Sequence, residues 1–349
     1  MPSIKRPRRR PRVAFVLSGG GNLGAIQVGQ LRALAERDIV AEVVLGCSVG
    51  ALNGAAYAAD PTLAGIRHLE SLWRTTSTPD LMPSSRMPNT LQMVRKGTAL
   101  YKNDGLRRGI ARFLGGRTTF EELELPFQCV ATDMDLAMEH WFTSGPLMEP
   151  ILASAALPSV YPPVTLDGRR YLDGGVVNNV PISRALELGV KRIYVLHVGL
   201  HGRPEAEIRR PIDAALMAYW IARNSGLARD LATLPKGVEV VVLPPGDRPD
   251  IRFDDFSQSP ALVEQGHSGA AHHLDEIAAA EEDEPGLAER LRRDMFVSAD
   301  WWRVLERRRR DRERGDAGHG DGGHGDGGHG EDLDPEDEAE LDRLAGESF

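Results

Sequence analysis

The chain has 349 residues, 41% of them apolar, enough for a substantial core in one large or two small domains. It has no run of about 18 apolar residues, so no transmembrane helix is expected; its two cysteines, Cys47 and Cys129, give no disulfide framework and suit a reducing cytoplasm. Net charge is −9, but Asp316 to Phe349 holds twelve acids against one arginine and carries −11, leaving +2 on the first 315 residues.

Residues 1–12, MPSIKRPRRRPR, hold six basic groups and no acid. They lack the apolar stretch of a secretory signal and read as a basic disordered arm, either solvated or touching an anionic lipid surface. No nucleic-acid partner is expected.

Val13 to Leu17 is an apolar run of buried-strand length, broken by Ser18-Gly19-Gly20-Gly21. Ile26, Leu31, Leu34 and Ala35 then recur at helical spacing. Val43 to Leu45 is a second buried strand, followed at once by Gly46-Cys47-Ser48-Val49-Gly50 and a small-residue helix from Ala51 to Ala59. Two glycine turns therefore close two strands and open two helices, at the sheet edge where open α/β folds bind ligands. The second has the form G-x-S-x-G. Gly46 and Gly50 allow a sharp strand-to-helix bend that exposes Ser48 at a helix N-terminus. Gly19, Gly20 and Gly21 offer backbone N–H groups with no side chains in the way, as an oxyanion hole requires. Gly19-x-Gly21-x-x-Gly24 also matches a dinucleotide fingerprint, but the second strand ends in Leu45-Gly46-Cys47-Ser48 without the acid that would hold a ribose.

Further along, 62–73 reads as a helix. Residues 79–97, rich in Pro, Ser and Met, read as a flap over the site or a plain surface loop. Phe127 to Thr132 is a buried strand with Asp133 at its end, and Trp141 to Thr143 pairs with it. ILASAALPSVYPPV forms a helical turn and a rigid proline loop. Arg170 to Gly175 ends a short strand on Asp173, with two glycines to aim the carboxylate. Residues after Asn178 begin a helix ending near Leu188-Gly189, and Arg192 to Val198 is another buried strand. Residues 211–234 and 259–277 read as helices flanking a strand at Val238 to Leu243. A triad could be drawn from Ser48, Asp173 and His197 or His267, although His197 lies in an apolar run and suits the core. His267, His272 and His273 lack the convergent carboxylates of a metal site.

Three segments, LSGGGNLGAIQVGQLRAL, GCSVGALNGA and YLDGGVVNNVPI, together resemble the patatin-like phospholipases, particularly their bacterial branch. The resemblance covers about Val13 to Leu274. It implies a three-layer α/β/α sandwich with a mainly parallel central sheet and a Ser–Asp dyad. By that resemblance Ser48 is the nucleophile, Asp173 the general base, and Gly19, Gly20 and Gly21 the oxyanion hole, with no metal or cofactor. It also implies that the ILASAALPSVYPPV segment shapes the acyl pocket and that Asp133 is structural. The family's usual Arg or Lys before the last glycine of the first motif is Leu23 here, so a nearby positive charge is lost.

The expected organisation is a basic arm over 1–12, a catalytic domain over 13–297, a Trp/Arg-rich helix over 298–314, and a Gly/His repeat with an acidic disordered tail over 315–349. The Trp/Arg helix either docks on the body or lies on an anionic membrane. The repeat is a solvated linker or a weak binder of transition metals through His319, His324 and His329. The function implied is hydrolysis of a lipid acyl ester, of phospholipase A or lysophospholipase type, by a cytoplasmic protein at or near a membrane. The alternative is a non-catalytic lipid-binding or scaffold protein on the same fold.

Overall fold

Short runs of β-branched and aliphatic residues, apolar on both faces, become the buried strands of one eight-stranded sheet in the computed structural model. The structure describes residues 11–82, 99, 101–199, 211–246 and 254–283. They fall in the first of two units into which the chain divides, Met1–Leu305 and Glu306–Phe349. The expectations for residues 1–10, for most of the 79–97 flap, for the Trp/Arg helix and for the repeat and acidic tail lie outside the described residues.

The strands are β1 (Val13–Leu17), β2 (Val43–Cys47), β3 (Phe127–Asp133), β4 (Met138–Phe142), β5 (Val164–Leu166), β6 (Arg169–Asp173), β7 (Arg192–Leu196) and β8 (Glu239–Leu243). Their order is β5-β6-β3-β2-β1-β7-β8, with β4 also paired to β3. The run β3-β2-β1-β7-β8 is parallel throughout, while β4 and β6 pair antiparallel with β3 and β5 pairs antiparallel with β6. The sheet is thus mainly parallel, as expected. The chain leaves β1 toward β2 and β3 on one side and later returns to place β7 on the other. The crevice of an open α/β sheet lies at such a reversal.

The helices are α1 (Gly24–Ala35), α2 (Val49–Ala59), α3 (Leu63–Thr75), α4 (Thr78–Leu81), α5 (Asp104–Phe113), α6 (Met148–Ser154), α7 (Ile182–Glu187), α8 (Pro211–Ala232) and α9 (Ser259–Asp283). Strand side chains alternate between faces, and two cores follow. Phe15, Leu17, Val241 and Leu243 pack with residues of α1, α2, α3 and α9. Ala14, Val16, Val240 and Val242 pack with Ile182 and Ala185 of α7 and Leu227 and Leu231 of α8. This is the three-layer α/β/α sandwich.

Several boundaries differ from the sequence expectations. α4 turns residues 78–81 of the expected flap region into a helix, because Ser77 and Asp80 form a reciprocal capping box. α5 was not legible: its Leu106, Ile110 and Phe113 are buried at helical spacing, but glycines and arginines dilute the pattern. Arg12 belongs to the body rather than the arm, since its carbonyl accepts from the N–H groups of Lys191 and Arg192. Buried glutamines fasten α1 to the strand ends. Gln27 Nε2 donates to the carbonyls of Ser18 (2.8 Å) and Leu196 (3.1 Å), and Gln30 Nε2 donates to those of His197 and Pro244. These bonds hold the ends of β1, β7 and β8 together at the crevice.

Candidate active site

The glycine turn follows β1 directly. Ser18 N–H donates to Leu196 O and Gly19 N–H to Asn179 O, both at 3.2 Å. Gly21 then takes φ 61°, in the left-handed region that favours glycine, and a 3₁₀ turn over Gly21–Leu23 leads into α1. Of the three expected donors, Gly19 has its amide committed to Asn179.

Ser48 sits between β2 and α2 at φ 55° and ψ −123°. A non-glycine residue there carries about 1–3 kcal/mol of backbone strain. Tight packing holds it: a Cβ on Gly50 would lie 2.3 Å from Leu17 O and 2.7 Å from Ser18 O. The first turn of α2 therefore rests on the end of β1, which sets Ser48 beside the glycine turn. Those contacts are with backbone, which cannot step aside. Gly50→Ala is expected to lower stability by about 1–3 kcal/mol or more, measured as the midpoint shift of urea unfolding. Ser48 N–H donates to Ser154 Oγ at 2.9 Å, so the end of α6 steadies the bend.

Asp173 closes β6. Thr132 Oγ1 donates to its carbonyl at 2.8 Å, and its own N–H donates to Ala156 O at 3.0 Å. The side chain is fully buried. Ser48 Oγ donates to Asp173 Oδ2 at 2.6 Å across 125 residues of chain. Asp173 Oδ1 accepts from Gly175 N–H at 2.8 Å and from the Tyr219 hydroxyl at 3.3 Å. Burial pushes the carboxyl above the usual carboxylate range; the bonds from Ser48, Gly175 and Tyr219 and the charge of Arg223 act the other way. The result is a carboxylate of raised basicity held against a hydroxyl.

Tyr219 and Arg223 stand four residues apart on α8 and so on one helix face. The sequence shows a helix over 211–234 and singles out neither residue. Burial and the neighbouring Asp173 charge push the Tyr219 phenol well up, so it stays a donor. Arg223 Nη2 donates to Gly19 O at 3.0 Å. Because a peptide is planar and trans, fixing the Gly19 carbonyl turns the Gly20 N–H to the opposite side. Leu23 is buried in the core at 8% exposure, so the charge expected at that position is replaced by packing. Arg223 brings a cation to the same turn from a distant helix. The signal for it was the Tyr–Arg spacing, which carries no weight until the helix is docked.

The remaining candidates divide plainly. Cys47, next to the serine, is buried and its thiol is pushed well up by burial and by Asp173, so it is no competing nucleophile. His197 is fully buried, its Nδ1 accepting from Gly199 N–H at 2.8 Å. His267 pairs with Glu36 at 2.7 Å and His272 with Glu276 at 3.2 Å; neither is among the groups around Asp173. Asp133 Oδ1 accepts from the N–H groups of Asp135 and Leu136 and ties the turn between β3 and β4.

The profile of the patatin-like phospholipase family matches residues 15–186, from β1 through α7. Patatin-like phospholipase domain-containing protein 7 of Rattus norvegicus is 32% identical over 211 residues, covering 60% of this chain and 15% of that protein. An uncharacterised NTE family protein of Mycobacterium tuberculosis is 32% identical over 213 residues, covering 61% of this chain and 55% of its own length. The chain thus spans a small part of the first relative and about half of the second. Among solved structures, VipD from Legionella pneumophila overlaps 77% of this chain and 67% of its own at 15% identity, with a loose superposition of TM-score 0.43. The family match takes in the glycine turn, the Ser48 bend and the Asp173 turn together, and by it the chain belongs to the patatin-like phospholipase family.

Proposed function

We propose that the chain is a serine acyl-ester hydrolase acting on lipids, of phospholipase A or lysophospholipase type, through a Ser48–Asp173 dyad. The observation that carries this is the 2.6 Å bond from the Ser48 hydroxyl to the buried Asp173 carboxylate. Distances of about 2.6–3.2 Å are those over which a general base takes a proton. As Ser48 Oγ bonds to the ester carbon, its proton passes to Asp173 and the carbonyl π pair moves onto oxygen. Collapse breaks the bond to the alcohol, which leaves with the Asp173 proton. Water then enters by the same route and releases the fatty acid from the acyl-serine.

The Gly20 and Gly21 N–H groups stabilise the oxyanion in this scheme, with Gly19 shaping the turn. Gly46 and Gly50 hold the bend, and no cofactor or metal takes part. The charge missing at Leu23 gives little support to a non-catalytic scaffold, because Arg223 brings a cation to Gly19. No helix among the described residues is long and apolar enough to cross a membrane. Val177, four residues after Asp173, is exposed, which supports an apolar contact for lipid beside the Asp173 turn.

Fatty-acid release from lysophospholipid, phospholipid, neutral glyceride and short-chain esters tests the proposal. Release from at least one lipid ester is expected; folded protein that hydrolyses none contradicts it. Arg223→Ala removes a charged hydrogen bond worth about 1.5–3 kcal/mol, so kcat/KM is expected to fall roughly 10- to 100-fold. Loss of the cation also moves the acid limb of the pH profile upward, since that charge lowers the Asp173 pKa. Arg223→Lys is expected to restore the limb. An unmoved limb in the alanine variant would show that Arg223 does not act on the base.

A further inference from the structure

Asn179 stands where the two halves of the site meet. Its backbone carbonyl accepts the Gly19 N–H at 3.2 Å. It is 3% exposed, and neither its Oδ1 nor its Nδ2 has a hydrogen-bond partner among the described residues. Its position can be read from the glycines around it. A side chain on Gly19 would meet Asn179 Oδ1 at 2.5 Å and Ser48 Cβ at 3.1 Å. One on Gly175 would meet the same oxygen at 3.0 Å, Asp173 Oδ1 at 3.0 Å and the Tyr219 hydroxyl at 2.6 Å. The carboxamide therefore shares the space bounded by the nucleophile, the base and the glycine turn.

A buried amide without partners costs free energy, and one retained in a folded protein calls for an explanation. Holding the base does not supply one. Asp173 already accepts from Ser48, Gly175 and Tyr219, and Asn179 is not among its donors. The explanation lies in the glycine turn. By accepting the Gly19 N–H, the Asn179 backbone takes one donor out of the oxyanion hole, while its side chain brings two N–H groups to the same place.

We propose that the Asn179 carboxamide is a catalytic residue. Its Nδ2 donates to the carbonyl oxygen of the bound ester and holds that oxygen as charge develops, beside the Gly20 and Gly21 N–H groups. A half-turn of the terminal amide exchanges Nδ2 and Oδ1 without moving the rest of the side chain, so the donor can face the ester. The assignment rests on the hydrolase function proposed above and adds a third donor to it.

The test uses the full chain with Asn179→Ala and Asn179→Leu, alongside wild type. Four readouts are taken: kcat and KM on an active ester, affinity for a trifluoromethyl ketone that forms a tetrahedral oxyanion on serine, the pH profile, and the melting temperature. Loss of an oxyanion donor is expected to lower kcat by about 10²–10³-fold. The ketone's affinity falls in parallel, while KM and the acid limb stay in place. The melting temperature holds or rises, because an unpartnered buried amide has been removed. Wild-type kcat in either folded variant overturns the assignment. So does a loss of activity matched by a loss of melting temperature, or a failure of both variants to fold, since each marks a structural role. Wild-type protein that hydrolyses no ester overturns the hydrolase function itself and this assignment with it, and that is read from the wild-type arm alone.

Discussion

Replacing Ser48 with alanine is expected to cut kcat by about 10⁵–10⁶-fold, the scale at which a covalent nucleophile is lost. Turnover does not fall to the uncatalysed rate. Oxyanion donors and substrate binding keep roughly 10³–10⁴-fold acceleration over water in enzymes stripped of a nucleophile. The fold is expected to stand. Ser48 is only partly buried, and its backbone N–H bond to Ser154 survives the substitution. Alanine carries the same strain at φ 55°. Glycine does not, so Ser48→Gly is expected to melt above Ser48→Ala while being equally inactive. Ester turnover measured beside a thermal melt checks both. A Ser48→Ala variant with substantial activity would remove Ser48 from the mechanism.

Asp173→Asn is expected to lower kcat by about 10⁴-fold, as loss of a buried catalytic carboxylate does elsewhere. The asparagine fits the existing bonds: its Oδ1 can accept from Gly175 and Tyr219, and its Nδ2 can donate to Ser48 Oγ. What it cannot do is take a proton. The same substitution carries a stability signature with a definite sign. Burial raises the folded pKa of Asp173 above its unfolded value. Its contribution to stability is therefore fully present below the ordinary value of about 3.9 and is lost as pH rises through the raised folded value. Asparagine has no charge to bury. The variant is expected to match wild type in acid and to exceed it at neutral pH, trading activity for stability. Wild-type kcat/KM, by contrast, rises with pH through that same ionisation, at a pH above the ordinary carboxylate range. Equal or lower stability of the variant at neutral pH would mean that its asparagine fails to keep those bonds.

Much of the fold was legible because it rests on local rules. β1, β2, β7 and β8 are apolar on both faces, and only a strand covered by helices on both sides can be so. The bend at Ser48 was legible because a strand runs into G-x-S-x-G, a small-residue helix follows it, and a triple-glycine turn stands upstream. The parts that were not legible depend on docking. α5 hides its three buried residues among glycines and arginines. Asp173 in isolation is a turn residue followed by glycine; its link to Ser48 came from family resemblance rather than from spacing. Arg223 and Tyr219 acquire meaning only when α8 is laid across the ends of β1 and β6. Asn179 gave no signal, since a polar residue before Pro181 and α7 has many uses. At Leu23 the sequence shows only a missing charge; that Arg223 brings a cation to the same turn depends on how α8 docks.

The central claim is that Asp173 activates the Ser48 hydroxyl for attack on an acyl centre. Fluorophosphonate labelling followed by peptide mass spectrometry measures this most directly. A single adduct on the peptide containing Ser48 is predicted for wild type, with none for Ser48→Ala and a far slower appearance for Asp173→Asn. Folded wild-type protein that takes no label, or takes it on another residue, would contradict the account.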